Sequence, residues 1–300
     1  QLLSGEPVPA DPAAADAGAG RMKVTGIVLT FNSEAMLAEV IRALRQVADR
    51  ILVVDSFSTD GTEKIAKDLG CEWVQHPFDN YSAQRRWAQE YAALGPDDWV
   101  LHVDSDEIVS PELASSMRTA LAQGAPGVDG FLVRRLHHFW GKPIRFGHMN
   151  PSWHLRLYRA GKGQCEDRLY DQHFVCSGRT VRLKGNLLDM QAVDLERWTA
   201  THNRWSTAEA QEVLRRAEPE GPVLKGKLVG DTRERKRWVK QHLWYRLPLF
   251  LRAYAFFFYS YVIKLGFLDG RVGLVYHTLH AFWFRFLVDA KIYEATRRGR

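Results

Sequence analysis

Three short apolar runs, each ending on an oxygen-bearing side chain, constrain this chain more than any other feature. They cover residues 24–30 (VTGIVLT), 51–55 (ILVVD) and 99–104 (WVLHVD). Each is too short for a buried helix and mostly lacks polar alternation, which is the pattern of strands buried on both faces. Helical spacing fills the gaps. Met36, Leu37, Val40, Ile41 and Leu44 lie on one face of a helix expected over residues 33–47. A second helix, over 62–69, stops at Gly70 and leads into a short strand over 71–74. A third, over 82–94, closes at Gly95-Pro96, and Ser110-Pro111-Glu112 has the cap and first-turn proline of a fourth. Strands alternating with helices in this order predict a mostly parallel sheet covered by helices.

In an open sheet of that kind ligands sit outside the carboxyl ends of the strands. Here those ends carry Thr30-Phe31-Asn32-Ser33-Glu34, then Asp55 with Asp60-Gly61-Thr62, then Asp104-Ser105-Asp106-Glu107. Alternating carboxylates at a strand end suit Mg²⁺ or Mn²⁺, which take oxygen ligands from one or two protein carboxylates and from substrate phosphates. The bland alternative for Glu34 and Asp60 is N-terminal helix capping. No G-x-G-x-x-G follows the first strand and no G-x-x-x-x-G-K-[ST] is present, so neither a dinucleotide fold nor a P-loop is expected.

The segments VTGIVLTFNSE, ILVVDSFSTDGT and WVLHVDSDE, in this order, resemble family 2 glycosyltransferases of GT-A fold. The nearest likeness is to the branch that builds lipopolysaccharide cores and exopolysaccharides. It covers roughly residues 22–189. The resemblance implies an α/β GT-A catalytic domain, a Rossmann-like and mostly parallel sheet flanked by helices, over 22–194. It implies an inverting transfer of a sugar from a nucleotide-sugar, UDP-linked in most relatives, with Mg²⁺ or Mn²⁺. By position, Thr30, Asn32 and Glu34 would line the nucleoside pocket. Asp55 would accept from the base, with Asp60 near by. Asp104 would face ribose and metal, and Asp106 would ligate the metal. Gln84 and Arg85 match a Gln-Lys pair that reaches the nucleotide. Arg156 would face the diphosphate or else pair with a carboxylate, and Asp189 replaces a histidine found near the metal.

Inverting transfer needs a carboxylate to remove the acceptor proton. Glu166, Asp167 and Asp171 are the candidates, with Asp171 preferred, because the glutamate of relatives falls on Gln172, which cannot act as a base. His148 and Trp153 are expected to stack on a sugar, and the helix around His202, Asn203 and Arg204 to form an acceptor wall. A sugar-nucleotide nucleotidyltransferase or a non-enzymatic sugar- or membrane-binding module are the rival readings. The first usually needs a basic Gly-rich loop where TFNSEAM stands, and the second has no use for Asp104 and Asp106.

Residues 1–21 are rich in Ala, Pro, Gly and Asp and are expected to be unordered. Three cysteines without metal spacing point away from a disulfide framework and toward a reducing compartment. Residues 195–300 are expected to form a helical appendage. Its aromatic, apolar stretches 247–263 and 272–288 are broken by Pro248, Arg252 and Arg285, and each is shorter than the roughly 20 residues that span a bilayer. With a basic run from Arg233 to Arg246 and a net charge of +6, the segment is expected to lie on an anionic membrane surface. A buried hairpin or a homo-oligomer interface is the alternative. The expected partners are a nucleotide-sugar donor, a lipid-linked or glycan acceptor and the membrane, with no nucleic acid. The expected place is the cytoplasmic face of a bacterial inner membrane, peripheral or monotopic.

Overall fold

The computed structural model describes residues 23–168, 171–191, 194–215, 222–229 and 232–298. The segment expected to be unordered, 1–21, lies outside them. Strands β1 (Val24–Thr30), β2 (Arg50–Asp55), β3 (Glu72–Gln75) and β4 (Trp99–Asp104) are parallel neighbours in the order β3-β2-β1-β4. Helices α1 (Leu37–Leu44), α2 (Thr62–Asp68) and α3 (Tyr81–Tyr91) connect them. Helix α1 is shorter than its spacing suggested, because Ser33 to Met36 form a turn that places Glu34 against Asp60 and Gly61 at the start of α2. Asn80 caps α3, and Ser110 caps α4 (Pro111–Ala122), accepting from Leu113 N at 3.3 Å.

Beyond β4 the sheet turns mixed. Strand β5 (Glu107–Val109) precedes α4. β6 (Gly130–Phe139), with β7 (Lys142–Pro143) at its end, β8 (Ser152–Arg159) and β11 (Thr180–Asp189) follow it in the chain. They extend the sheet in the order β4-β8-β6-β11-β5, with β8 antiparallel to both neighbours. Strands β9 (Gly163–Cys165) and β10 (Phe174–Cys176) form a separate hairpin. Gly185, at φ +89, lies in the bulge of β11, where a Cβ would stand 2.4 Å from Leu113 N. Only glycine allows the strand and the start of α4 to approach so closely.

The main core lies between the sheet and α1, α2 and α4, around Val28, Ile41, Leu44, Val53, Leu101 and Leu113. The long helix α5 (Leu195–Arg215) packs along α9 (Phe284–Arg298) through Ala210, Phe284, Val288 and Ile292. Trp198 of α5 and Tyr276 of α8 (Gly270–His277) close over Phe139 at the end of β6. The basic α6 (Thr232–His242) and the aromatic α7 (Leu251–Phe258) complete the helical region. Among the described residues no helix is long and apolar enough to cross a membrane.

The arginines that interrupt the aromatic stretches are paired with carboxylates of distant elements. Arg252 is buried against Asp289, with Nε donating to Oδ1 at 2.8 Å. Arg285 makes a two-pronged pair with Glu209 of α5, at 2.9 and 2.8 Å. A buried guanidinium needs a carboxylate partner, and the fold supplies one from a distant element each time. What remains outside is apolar. Leu251, Tyr254, Phe258, Ile263 and Leu268 are all more than half exposed.

Candidate active site

The carboxyl ends of β1, β2 and β4 come together as the alternation requires, and their loops are laced to one another. Asp55 is fully buried. Its Oδ1 accepts from Thr30 Oγ1 at 2.9 Å and from Ser58 Oγ at 2.5 Å, and its Oδ2 accepts from Ser58 N at 2.8 Å. Gln75 Nε2 adds a longer contact to Oδ2 at 3.4 Å. Asn32 bridges the same loops, receiving Thr59 N at 2.9 Å and donating its own N–H to Ser58 Oγ at 2.8 Å. Asp60 caps α2 at Thr62 N and also accepts from Glu34 N, while Glu34 Oε2 takes Gly61 N at 2.7 Å. Glu34 and Asp60 therefore do here what capping carboxylates do. Ser33 Oγ and Ser105 Oγ, 2.9 Å apart, tie in the loop after β4. Gln84, one of two neighbours expected at the nucleotide, is buried against His76 and Ser56. Its neighbour Arg85 turns to the acidic motif.

That motif is the electrostatic centre. Asp104 Oδ1 accepts from Arg85 and Oδ2 from Arg156, each at 2.9 Å. The Nη2 of Arg156 also donates to Glu107 Oε1 at 2.6 Å, so Arg156 clamps two acidic side chains. Arg135 continues the chain, 2.8 Å from Glu107 and 3.1 Å from Asp189. His137 Nδ1 completes it with a short contact to Asp189. Glu107 and Asp189 are fully buried, which is tolerable only because each meets guanidinium groups. Burial works to raise the Asp104 carboxyl, but Arg156, Arg85 and Arg135 outweigh it and hold it well below the usual range.

Asp106 is the exception. Half-buried, its carboxylate has no hydrogen bond or ion pair among the described residues. Burial, then the nearby charges of Asp189 and Asp104, push its carboxyl up to about 8. A carboxylate crowded by other anions and left without a cation is what a divalent metal ligand looks like on its protein side. The donor set, Asp106 with Asp104, is all oxygen, as Mg²⁺ and Mn²⁺ prefer. Among the described residues no three His, Cys, Asp or Glu side chains converge to hold a metal unaided.

The three candidate bases separate clearly. Glu166 is fully buried, with Oε2 taking His173 N at 2.9 Å and Arg237 at 3.1 Å, and Oε1 taking Leu224 N at 2.6 Å. Both oxygens are taken up by these contacts to the following chain. Asp167 pairs with Arg86 at 3.0 Å and, with Trp87, Glu90 and Gln164, lines a separate cavity of about 430 Å³. Asp171 is partly open. It pairs with Lys240 Nζ at 3.0 Å and lies 3.5 Å from His173 Nε2. Burial works to raise its carboxyl, and Lys240 and His173 hold it well below the usual range. Its backbone, at φ +58, is left-handed, a strain that surrounding structure must sustain.

Trp153 lies under the guanidinium of Arg182, 4.7 Å from its ring centre. His148 packs against Phe256 and His280 and bonds Ser260 Oγ at 2.7 Å. His202 stacks on Trp198 inside the helical region. The sequence reading named Glu107 in the strand-end run without a role for it, and missed Arg135 and His137 as members of the site. The triplet spacing Arg135-x-His137 beside buried strand residues was the only available signal.

Comparison with known proteins gives the family. Residues 25–184 match the family description Glycosyl transferase family 2. An uncharacterized glycosyltransferase of Rickettsia felis is 24% identical over 292 residues, covering 93% of this chain and 92% of its own. Glycosyltransferase AglJ of Haloferax volcanii is 28% identical, covering 54% of this chain and 50% of its own. Among solved structures, S. aureus TarS 1-349 aligns over 93% of this chain and 92% of its own, at 15% identity and a TM-score of 0.43. Glucosyl-3-phosphoglycerate synthase of Mycobacterium tuberculosis, solved with Mn²⁺ and UDP, aligns over 39% of this chain and 44% of its own, at 26% identity and a TM-score of 0.31. The two structural likenesses are too slight to build on, but the family match spans more than half of the chain, which therefore belongs to glycosyl transferase family 2 and is a glycosyltransferase.

Proposed function

We propose that this enzyme moves a sugar from a UDP-sugar to a lipid-linked acceptor of the lipopolysaccharide or exopolysaccharide type, with inversion, at the cytoplasmic face of a bacterial inner membrane. The observation that carries the donor side is the uncompensated carboxylate of Asp106 beside the arginine-held Asp104. A bound Mg²⁺ or Mn²⁺ supplies charge neutralisation for the departing diphosphate. The chain's own residues do the rest. Arg85 and Arg156 hold Asp104 in one orientation, and Arg135 keeps Glu107 and Asp189 from adding their full charge to the site. Loops 31–34 and 56–60, braced by Asp55, form the nucleoside seat. The base N–H takes the place of the long Gln75 contact on Asp55 Oδ2.

Asp171 accepts the proton of the acceptor hydroxyl. The oxygen then bonds to the sugar's anomeric carbon from the face opposite the diphosphate, and the bond from that carbon to the diphosphate oxygen breaks. The ion pair with Lys240 keeps Asp171 ionised, and its basicity rises as the bound acceptor draws Lys240 away. The membrane part of the proposal rests on the exposed apolar surface of α7 and the segment after it, joined to a chain of net charge +6.

A panel of nucleotide-sugars incubated with the chain and Mn²⁺ tests this reading. Metal-dependent release of UDP, lost in Asp106→Asn, is expected. Release of pyrophosphate instead would make the enzyme a nucleotidyltransferase and refute it.

A further inference from the structure

Lys236 and Lys264 are two of the charged residues at the edge of the apolar surface that the site does not use. Both are exposed, and neither pairs with a carboxylate among the described residues. They come from different elements, one from α6 and the other from the turn after a π-helical segment, Tyr259–Ile263. Adjacent backbone atoms bring them together. Lys236 Nζ donates to His148 O at 3.3 Å, and Gly147 N donates to Lys264 O at 2.9 Å. Loss of hydration, then the neighbouring charge of Lys264, hold the Lys236 ammonium below its usual range. An anion between the two would relieve both.

Two directions lead away from this pair. Along α6, Lys240 lies one turn further on, about 6 Å of helix, and touches Asp171 at 3.0 Å. The other way, Lys264 sits between Ile263 and Leu265, which are 59% and 45% exposed, and is followed by exposed Phe267 and Leu268. Phe258 and Val262 extend the same apolar surface. Isolated exposed apolar residues are ordinary, but a run of this size bordered by cations is suited to an anionic amphiphile.

We propose that Lys236 and Lys264 bind the phosphate of a lipid-phosphate acceptor, whose chain lies on the apolar surface and whose hydroxyl reaches Asp171. The spacing makes a further demand. The attacked hydroxyl belongs to the unit directly joined to the phosphate, because one helical turn leaves no room for a longer glycan between Lys236 and Lys240. This inference rests on the proposed function and names its acceptor class.

The test uses the full chain in flotation with phosphatidylcholine vesicles, with and without phosphatidic acid. The wild type should float with the phosphatidic acid vesicles. Lys236→Glu with Lys264→Glu should weaken that binding by at least about tenfold, given the contribution of each basic residue near an anionic surface. Lys236→Arg with Lys264→Arg keeps the charge and should bind as the wild type does, which separates loss of the site from loss of the fold. Equal binding by the wild type and the glutamate pair overturns the proposal. So does full displacement by inorganic phosphate, which would assign the lysines to a soluble anion. Metal-dependent UDP release by the wild type reports the proposed function separately. Donor hydrolysis together with indifferent lysine variants sinks the lysine site alone. Lysine-dependent flotation without any donor hydrolysis sinks the proposed function and the acceptor role with it, and leaves the lysines as a lipid-phosphate site only.

Discussion

Replacing Asp106 by asparagine should abolish the function and stabilise the metal-free fold. The carboxyl is pushed up to about 8, against an ordinary aspartate near 3.9. At pH 7 the folded protein must therefore take up a proton that the unfolded chain does not hold. Three units of mismatch at about 1.4 kcal/mol each set a ceiling near 4 kcal/mol. The true gain is smaller. An asparagine there still loses hydration, and the repulsion is shared with Asp104 and Asp189. An increase of about 1–3 kcal/mol is expected, or a rise of several degrees in Tm for a chain of this size. The assay is thermal melting in chelator at pH 7, repeated with Mn²⁺ and UDP. Wild type and variant should exchange order between the two conditions, because ligand that binds only the folded wild type raises its Tm. A variant that melts below the wild type in chelator would refute the crowded-carboxylate argument. One that still responds to Mn²⁺ and UDP together would refute the ligand assignment.

The same carboxyl predicts a pH dependence. Since the folded form binds the extra proton between about pH 4 and 8, metal-free stability should fall as pH rises through that window, by at most about 1.4 kcal/mol per unit from this group. Denaturant melts of Asp106→Asn should show a flatter profile. Asp171→Asn should cut turnover by at least about 10²-fold while leaving UDP affinity alone, checked by steady-state kinetics and calorimetry. If Asp167→Asn does this instead, the base is assigned wrongly. Asp289→Ala leaves Arg252 buried without its carboxylate and should cost about 3–5 kcal/mol, read by chemical denaturation, with proteolysis opening first in α7 and α9.

The strands that carry the donor side were legible because their information is local. Residues 24–30, 51–55 and 99–104 are apolar and short, helical spacing separates them, and the chain therefore had to deliver Thr30, Asp55 and Asp104 to one edge. Charge pairing is a different kind of information. Nothing near Asp104 in the sequence announces Arg156, 52 positions away, and nothing near Glu107 announces that it starts a buried strand held by Arg135 and Arg156. An acidic residue looks the same in sequence whether it anchors the interior, as Glu166 does with Arg237, or stands without a partner among the described residues, as Asp106 does.

The helical region shows the same division. Its aromatic composition and its lack of a clean membrane span could be read directly from residues 243–288. Which of its cations face inward could not. Arg252 and Arg285 read in sequence only as breaks in apolar stretches, and the fold pairs them with Asp289 and Glu209. Lys236 and Lys264 look no different in sequence, yet they stay at the surface. The sequence by itself determined the alternation of elements, the edge where the carboxylates gather and the apolar content of the last helices, all of which follow from periodicity over a few residues. Only the tertiary structure decided which charges cancel and which remain, because a buried ion pair depends on two side chains meeting across dozens of residues, and hydrophobic spacing carries no record of that meeting.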